Sequence, residues 1–303
     1  MASLLQRIER AGRPPLHTLT PQEARRAYDA AAEILDLPRA PLRRVEELTV
    51  PTPDGAALPA RLYADAPGPL PVLLYLHGGG FVIGSLETHD SLCRQLAQRS
   101  GVAVLALDYR LAPEHRFPVA VQDAWHTLCW LQAQGGGLGL DPSRLAVGGD
   151  SAGGTLAAVC ALQARDSGLP LALQLLITPG TAAGPVFDSR RRFAEGCLLD
   201  DTTIEWFFAQ YVEPEQRSDW RFAPLQRDDL EGVAPACVIL AECDPLVDEG
   251  LAYADRLRAA GVPVALELYR GLTHDFIKMG RVLAEAGQAL QAAADALKEA
   301  LTP

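Results

Sequence analysis

The chain has 303 residues, 49% of them hydrophobic, which is enough for a large α/β domain with a sizeable core. Its formal net charge of −11 argues against binding to nucleic acid, whose phosphates need a basic face, and against electrostatic docking on anionic membranes. The six cysteines form no C-x-x-C pair, so neither a zinc site nor a redox pair is indicated.

Residues 1–44 form an opening section with its own pattern. Thr20 as N-cap and Pro21 at the first helical position predict a helix over 21–35, which two downstream prolines end. The first ten residues lack the apolar run of a signal peptide, and no later segment is long enough to span a membrane. We therefore expect a cytoplasmic protein with reduced cysteines.

The next pattern predicts strands. Two alternating runs, 45–50 and 58–63, flank Pro53-Asp54-Gly55 and predict an antiparallel hairpin. Later runs are almost continuously apolar, as in parallel strands buried on both faces. These strands are predicted at 72–77, 102–108, 145–148, 171–177, 236–241 and 264–269. The helices between them are predicted at about 89–99, 119–134, 153–167, 248–260 and 281–300, which makes the chain a doubly wound α/β protein.

A glycine-rich loop, His77-Gly78-Gly79-Gly80-Phe81, follows the first of the apolar strands. Glycines let the backbone approach a substrate and point successive N–H groups at it, which favours an oxyanion hole built from Gly79 and Gly80. A phosphate-binding loop is the alternative, but neither the G-x-x-x-x-G-K-[ST] nor the G-x-G-x-x-G pattern is present. His77 precedes the candidate nucleophile and is expected to hold the loop by hydrogen bonds.

The segment from Gly149 to Gly154 contains G-x-S-x-G between a predicted strand and a predicted helix. On such a turn the serine hydroxyl is pushed out of the sheet, and the helix N-terminus brings backbone N–H groups to the reacting centre. The pattern favours Ser151 as a nucleophile, with the N–H of Ala152 as a further oxyanion donor. The alternative is a tight glycine turn without chemistry.

Residues 185–224 interrupt the alternation of strands and helices with an aromatic-rich segment. Ligands in open α/β sheets bind beyond the carboxyl ends of the strands, which favours a lid lying there together with the N-terminal section. The alternative is two surface helices that only pack on the core. Aromatic residues are the expected lining of an apolar substrate pocket, although helical spacing means that some of them face the core. They are Phe81, Trp206, Phe207 and Tyr211.

Asp244 and His274 each follow an apolar strand, in the order Ser, Asp, His that α/β-hydrolases use. His274 is the only histidine after Ser151 and is the expected general base, so activity should fall below a pH of about 6.5 unless its pKa is shifted. Asp244 is the expected orienting acid, and its competitors are Glu242, Asp248, Glu249 and Asp275. Asp248 and Glu249 are instead expected to cap the next helix.

These segments together resemble the hormone-sensitive-lipase-like esterases, a branch of the α/β-hydrolases, from about residue 45 to the C-terminus. The matching segments are His77–Phe81, Asp108–Pro118, Gly149–Gly154, Asp244–Glu249 and His274–Phe276. Two departures stand out: Thr178 where relatives often have Tyr, and Asp275 where they often have Gly. A carboxylate beside His274 raises the histidine pKa if it faces the ring and has little effect if it points away.

The resemblance implies a mostly parallel eight-stranded sheet flanked by helices, with a helical cap. It divides the chain into a cap segment (1–44), a core (45–184 and 225–303) and a cap insertion (185–224). It implies a triad of Ser151, Asp244 and His274 that hydrolyses short- to medium-chain carboxylic esters without a cofactor or a metal.

Three points stay open at the level of the sequence. One is whether the chain is a ligand-binding protein on the same scaffold, although such proteins in the family have lost the histidine that this chain keeps as His274. Another is hydrolysis of an amide, formamide or lactone by the same triad. The last is the oligomeric state, for which a homodimer is one alternative.

Overall fold

One eight-stranded sheet organises residues 1–184 and 187–302, which the computed structural model describes. Its order is β1-β2-β4-β3-β5-β6-β7-β8; β2 is antiparallel to β1 and β4, and the other neighbouring strands are parallel. The strands are β1 (Arg44–Pro51), β2 (Ala57–Ala64), β3 (Leu70–Leu76), β4 (Ala103–Leu107), β5 (Leu140–Asp150), β6 (Leu173–Ile177), β7 (Ala236–Cys243) and β8 (Val264–Thr273). The predicted α/β class, hairpin and parallel sheet are confirmed.

Helices cover both faces of this sheet. They are α1 (Ala2–Arg10), α2 (Pro21–Ala31), α3 (Asp90–Ser100), α4 (Val119–Gln134), α5 (Ala152–Ser167), α6 (Asp188–Arg192), α7 (Asp201–Tyr211), α8 (Val247–Ala259) and α9 (Ala284–Leu301). Leu74 and Leu76 of β3 belong to the hydrophobic core that contains α4, α5 and α8, whereas Leu73 and Tyr75 belong to the core that contains α3 and α9. Since successive side chains of a strand face opposite ways, this explains the continuous apolar runs.

The N-terminal section differs from its prediction at two places. Helix α2 begins as expected, with a capping box in which Thr20 Oγ1 accepts from the Glu23 N–H at 3.3 Å. It ends at Ala31 rather than at residue 35, because the Ile34 N–H then bonds to the carbonyl of Ala31, three residues back, at 3.1 Å, which is a turn and not the α-helical pattern. Helix α1 was not predicted. Within the described residues, no helix combines the length and apolar composition needed to cross a bilayer.

Strand β5 is longer than predicted. The sequence indicated a strand at 145–148, but the strand runs from Leu140 to Asp150 and ends directly before Ser151. Leu140 pairs with Leu70, and the register then shifts before Leu145 pairs with Val72. Residues 141–144 thus lie in an irregularity of the β3–β5 pairing.

The segment between β6 and β7 carries α6 and α7. Its predicted boundary falls on Pro185 and Val186, which lie outside the described residues. The segment contacts the N-terminal section, where Nδ1 of His17 lies 3.2 Å from Oγ1 of Thr203.

Candidate active site

Ser151 lies between β5 and α5 on a strained turn. Its backbone φ is +52°, in the left-handed region that a residue with a side chain rarely adopts, and its N–H donates to the Ile177 carbonyl at 2.8 Å. A side chain at position 153 would overlap the carbonyl oxygen of Leu76, so only glycine fits there. The G-x-S-x-G spacing therefore has a steric reason, and the turn is the sharp strand-to-helix type.

A chain of two hydrogen bonds connects Ser151 to His274 and His274 to Asp244. The Ser151 Oγ lies 2.9 Å from Nε2 of His274, and Nδ1 of His274 lies 2.7 Å from Oδ2 of Asp244. The other carboxylate oxygen of Asp244 accepts from the Leu246 N–H at 2.9 Å. Among the acids that the sequence offered, Asp244 is therefore the one that forms a hydrogen bond with the histidine ring.

The charges around His274 raise its pKa. Burial of the ring lowers the pKa, but the carboxylates of Asp244, Asp275 and Asp150 outweigh that effect. Asp275 faces the ring rather than pointing away, since its Oδ1 lies 3.8 Å from Nε2. Its backbone is left-handed, with φ of +60°.

Gly79, Gly80 and Ala152 line the same cavities as Ser151. In the described part of the chain, the N–H groups of Gly79 and Gly80 donate no hydrogen bond, and Ala152 opens helix α5. A Cβ at Gly80, where φ is +59°, would overlap the ring of Phe207. Three backbone N–H groups without a hydrogen-bond partner among the described residues, at cavities that Ser151 lines, fit the requirement of an oxyanion hole.

His77 and Tyr109, which follows β4, hold the glycine loop in place through hydrogen bonds and ring stacking. Nδ1 of His77 lies 2.8 Å from the carbonyl oxygen of Gly78, and the ring stacks on Tyr109 with centroids 4.3 Å apart. The Tyr109 hydroxyl donates to the His77 carbonyl at 2.7 Å. Burial lowers the pKa of His77 to about 3, so the ring is neutral.

Asp150 is a further member of the site that the sequence reasoning did not single out. Its Oδ1 accepts from the Tyr75 hydroxyl at 2.6 Å and from the Gly78 N–H at 3.1 Å, and its Oδ2 lies 3.2 Å from Nε2 of His89. Burial raises the pKa of this carboxyl, but the contact with His89 outweighs that and lowers the pKa overall. Asp150 thus connects the turn at Ser151 to the glycine loop. Its position beside Ser151 in the motif was the available signal.

Two cavities meet at Ser151. The main cleft, about 590 Å³, is lined by Gly79, Gly80, Ser151, His274 and Asp275, together with residues of the N-terminal section and of 198–207. The second cavity is small, about 50 Å³. It is lined by Gly80, Phe81, Ser151, Ala152, Thr155, Gly180, Ala182, Leu199, Ile204, Phe207, Phe208, Phe222, Leu246 and Glu249.

The predicted aromatic pocket is partly corrected. Phe81 lines the small cavity, and Phe207 lines both cavities. Trp206 and Tyr211 are not among the residues that line either cavity, contrary to the prediction. Tyr211 is buried and stacks on Phe81 with ring centroids 4.0 Å apart, so it supports Phe81 and does not itself line the small cavity.

Thr178 is not among the lining residues of either cavity, but it has a left-handed backbone with φ of +41° just after β6. Its N–H donates to the Ile239 carbonyl at 2.7 Å. Gly180, two residues later, lines the small cavity, and its carbonyl accepts from Oγ1 of Thr155 at 2.5 Å. Thr178 therefore affects the path of the loop that forms part of the wall of the small cavity.

Asp248 and Glu249 lie in the first turn of helix α8, as expected, but neither caps it through a side-chain hydrogen bond. Helix α8 begins after Leu246, which offers no side-chain cap. Asp248 accepts from the Ser189 N–H at 2.8 Å, and Glu249 accepts from the N–H groups of the loop after β6. Both carboxylates hold distant segments, because those segments pass close to the first turn of α8.

No group of three or more His, Cys, Asp or Glu side chains within 1–184 and 187–302 is arranged to hold a metal ion. The reactive groups in the cleft are the hydroxyl, the imidazole and the carboxylates already described. Their arrangement can activate a hydroxyl for attack on an acyl carbon.

Comparisons with known proteins agree on the fold and the chemistry. Residues 73–278 match the family described as alpha/beta hydrolase fold. The chain is similar to the ethyl acetate hydrolase of Pseudomonas putida, at 44% identity over 99% of this chain and 98% of the relative. It is similar to the carboxylesterase NlhH of Mycobacterium tuberculosis, at 41% identity over 86% and 84%.

One solved structure extends the likeness to three dimensions. The ester-hydrolase EH1AB1 from the metagenome of Lake Arreo, solved with a derivative of bipyridine phosphonate, superposes with a TM-score of 0.93. It is 40% identical to this chain, and the match covers 98% of this chain and 96% of that one.

Proposed function

Because the chain belongs to the hormone-sensitive-lipase-like carboxylic ester hydrolases of the α/β-hydrolase fold, we propose that Ser151, His274 and Asp244 are its catalytic triad. The protein is a carboxylic ester hydrolase that acts on small-molecule esters. The observation that carries the residue assignment is the pair of hydrogen bonds that joins the three side chains, at 2.9 and 2.7 Å.

In the first step, Oγ of Ser151 attacks the ester carbonyl carbon while Nε2 of His274 takes the hydroxyl proton. The carbon–oxygen bond to the alcohol then breaks, and His274 returns the proton to the leaving alkoxide oxygen. Asp244 holds Nδ1–H of the ring and stabilises the imidazolium that forms between these events. The products of this step are the free alcohol and an acyl group on Ser151.

The N–H groups of Gly79, Gly80 and Ala152 are proposed to bind the carbonyl oxygen when it becomes negative. Donors that are already in place cost no reorganisation during the reaction, and each is worth about 3 kcal/mol of the barrier. Water then attacks the acyl carbon while His274 takes its proton, and the bond between the acyl carbon and Oγ breaks as His274 passes that proton to Oγ of Ser151. The acid leaves, and the resting enzyme is restored.

The cap is proposed to consist of residues 1–44 and 185–224, with the core formed by 45–184 and 225–303. Residues of both cap segments line the main cleft over Ser151, including Tyr28 and Phe207. The N-terminal segment is held to the core near the glycine loop, where Arg25 donates to the carbonyls of Val82 and Ala112 at 2.8 and 2.7 Å. These contacts support a cover that excludes water from the reaction.

The experiment compares the parent with Ser151→Ala on p-nitrophenyl butyrate. The substitution should remove nearly all turnover, and an aryl phosphonate should add one phosphonyl group to the parent and none to the variant, measured by intact mass. Ser167→Ala, at the exposed end of the same helix, is the matched control and should behave as the parent. Equal turnover or equal labelling of parent and Ser151→Ala would refute the assignment.

A further inference from the structure

Glu249 places a buried carboxyl group in the wall of the small cavity beside Ser151. The residue is only 1% exposed, and it lines that cavity. Its Oε1 accepts from the N–H groups of Thr181 and Ala182, at 2.6 and 3.2 Å. Its Oε2 is buried and has no hydrogen-bond partner within the residues that the structure describes. A buried polar atom without a partner is costly, so a ligand atom that bonds to it gains affinity.

The small cavity lies on the acyl side of the reacting ester. The leaving alcohol must lie beside Nε2 of His274, which protonates it, and His274 lines the main cleft but is not among the lining residues of the small cavity. The alcohol therefore occupies the main cleft, and the acyl chain points into the small cavity. At about 50 Å³, that cavity accepts only a short acyl chain.

We propose that Glu249 is a specificity-determining residue whose Oε2 donates a hydrogen bond to an oxygen carried by the acyl chain. The preferred substrates are then esters of short oxo- or hydroxy-acids, rather than esters of alkanoic acids of the same size. This inference rests on the proposed function, since it takes Ser151 as the residue that is acylated.

Donation to a ketone oxygen requires the protonated carboxyl. Burial raises the pKa of Glu249 to about 7, against the opposing effects of its two backbone hydrogen bonds and of Arg190, and Asp244 adds to the rise. Below that pH, Oε2 carries a proton and can donate; above it, the group is a carboxylate that only accepts. The preference for an oxo-acyl chain should therefore weaken as the pH rises through about 7.

The test measures the ratio of kcat/KM for ethyl 3-oxobutanoate to that for ethyl 3-methylbutanoate, at pH 6 and at pH 8.5. Both esters use the same triad and the same leaving group, so the titration of His274 cancels in the ratio. In the parent, the ratio should be about three- to ten-fold higher at pH 6, the range expected for one hydrogen bond. Glu249→Gln keeps the acceptor for Thr181 and Ala182 and offers an uncharged N–H donor, so its ratio should not change with pH.

Asp255→Asn removes a carboxylate from the exposed surface of the same helix and should reproduce the parent's pH dependence. A parent ratio that does not change between the two pH values overturns the inference, whether or not Glu249→Gln folds. That result leaves the proposed function standing, because both esters are still hydrolysed. Failure of the proposed function is seen instead as unimpaired hydrolysis of both esters by Ser151→Ala.

Discussion

Asp275 Oδ1 lies 3.8 Å from Nε2 of His274, the ring nitrogen that faces the Ser151 hydroxyl. The imidazole therefore has one carboxylate near each nitrogen, since Asp244 bonds to Nδ1 at 2.7 Å. A negative charge beside Nε2 stabilises the protonated ring and disfavours the neutral ring that must accept the serine proton.

Asp275→Asn should move the acid limb of the pH–rate profile to lower pH. The histidine must be neutral to act, so activity is lost as the pH falls through its raised pKa, which lies above the ordinary value of about 6.5. Removing the charge lowers that pKa, and asparagine tolerates the left-handed backbone at this position. The measurement is kcat/KM against pH for p-nitrophenyl acetate. An unchanged acid limb would show that Asp275 does not influence the ring.

Asp244→Asn should lower kcat by about 10⁴-fold while leaving the fold intact, because an amide that donates to Nδ1 selects the wrong tautomer of His274. The matched variant is Glu242→Gln, since Glu242 is exposed and its Oε2 accepts from the Gly271 N–H at 2.7 Å. The exposed Glu242 variant should retain parental kcat. Comparable losses in both variants would argue that neither acid has a specific role.

Asp150→Asn should both destabilise the protein and reduce turnover. The carboxylate is buried and bonds to Tyr75, His89 and the N–H of Gly78, so removing its charge weakens a buried network by about 2–4 kcal/mol. Because the same group positions the glycine loop, kcat should fall more than KM changes. Urea denaturation and steady-state kinetics measure the two effects. A loss of stability with parental kcat would limit Asp150 to a structural role.

Gly80→Ala should reduce kcat by about 10²-fold through displacement of an oxyanion donor. The added Cβ overlaps the ring of Phe207, and φ of +59° is strained for alanine. The double variant Gly80→Ala/Phe207→Leu relieves the overlap and should recover part of the loss, measured by a double-mutant cycle. If the two changes are simply additive, the ring does not press on the loop.

The sequence was most informative where chemistry depends on local backbone. Ser151 could be proposed as the nucleophile because its turn needs glycine two residues before and two residues after the serine, and both positions are close to it in the chain. Asp244 and His274 could be found because parallel strands bring their carboxyl ends to one edge of the sheet. Their order along the chain then left few alternatives.

Features that depend on long-range contacts could not be predicted. The role of Glu249 is set by a loop 68 residues earlier in the chain, whose N–H groups pass its carboxylate. The segment after helix α2 is held by Arg281, which bonds to the carbonyls of Leu35 and Asp36 from a position 245 residues after Asp36. No spacing within either segment carries that information.

Phe207 lines both cavities at Ser151, as Leu199 does, and lies against the Gly80 backbone, so its ring forms part of the partition between them. A smaller residue there would merge the two spaces, and an ester could then lie across Ser151 in either of two opposite orientations. The enzyme would then hydrolyse both enantiomers of a chiral ester at similar rates. Libraries that aim to change acyl preference while keeping chiral discrimination should therefore leave position 207 aromatic and vary the outer walls, such as Ile204.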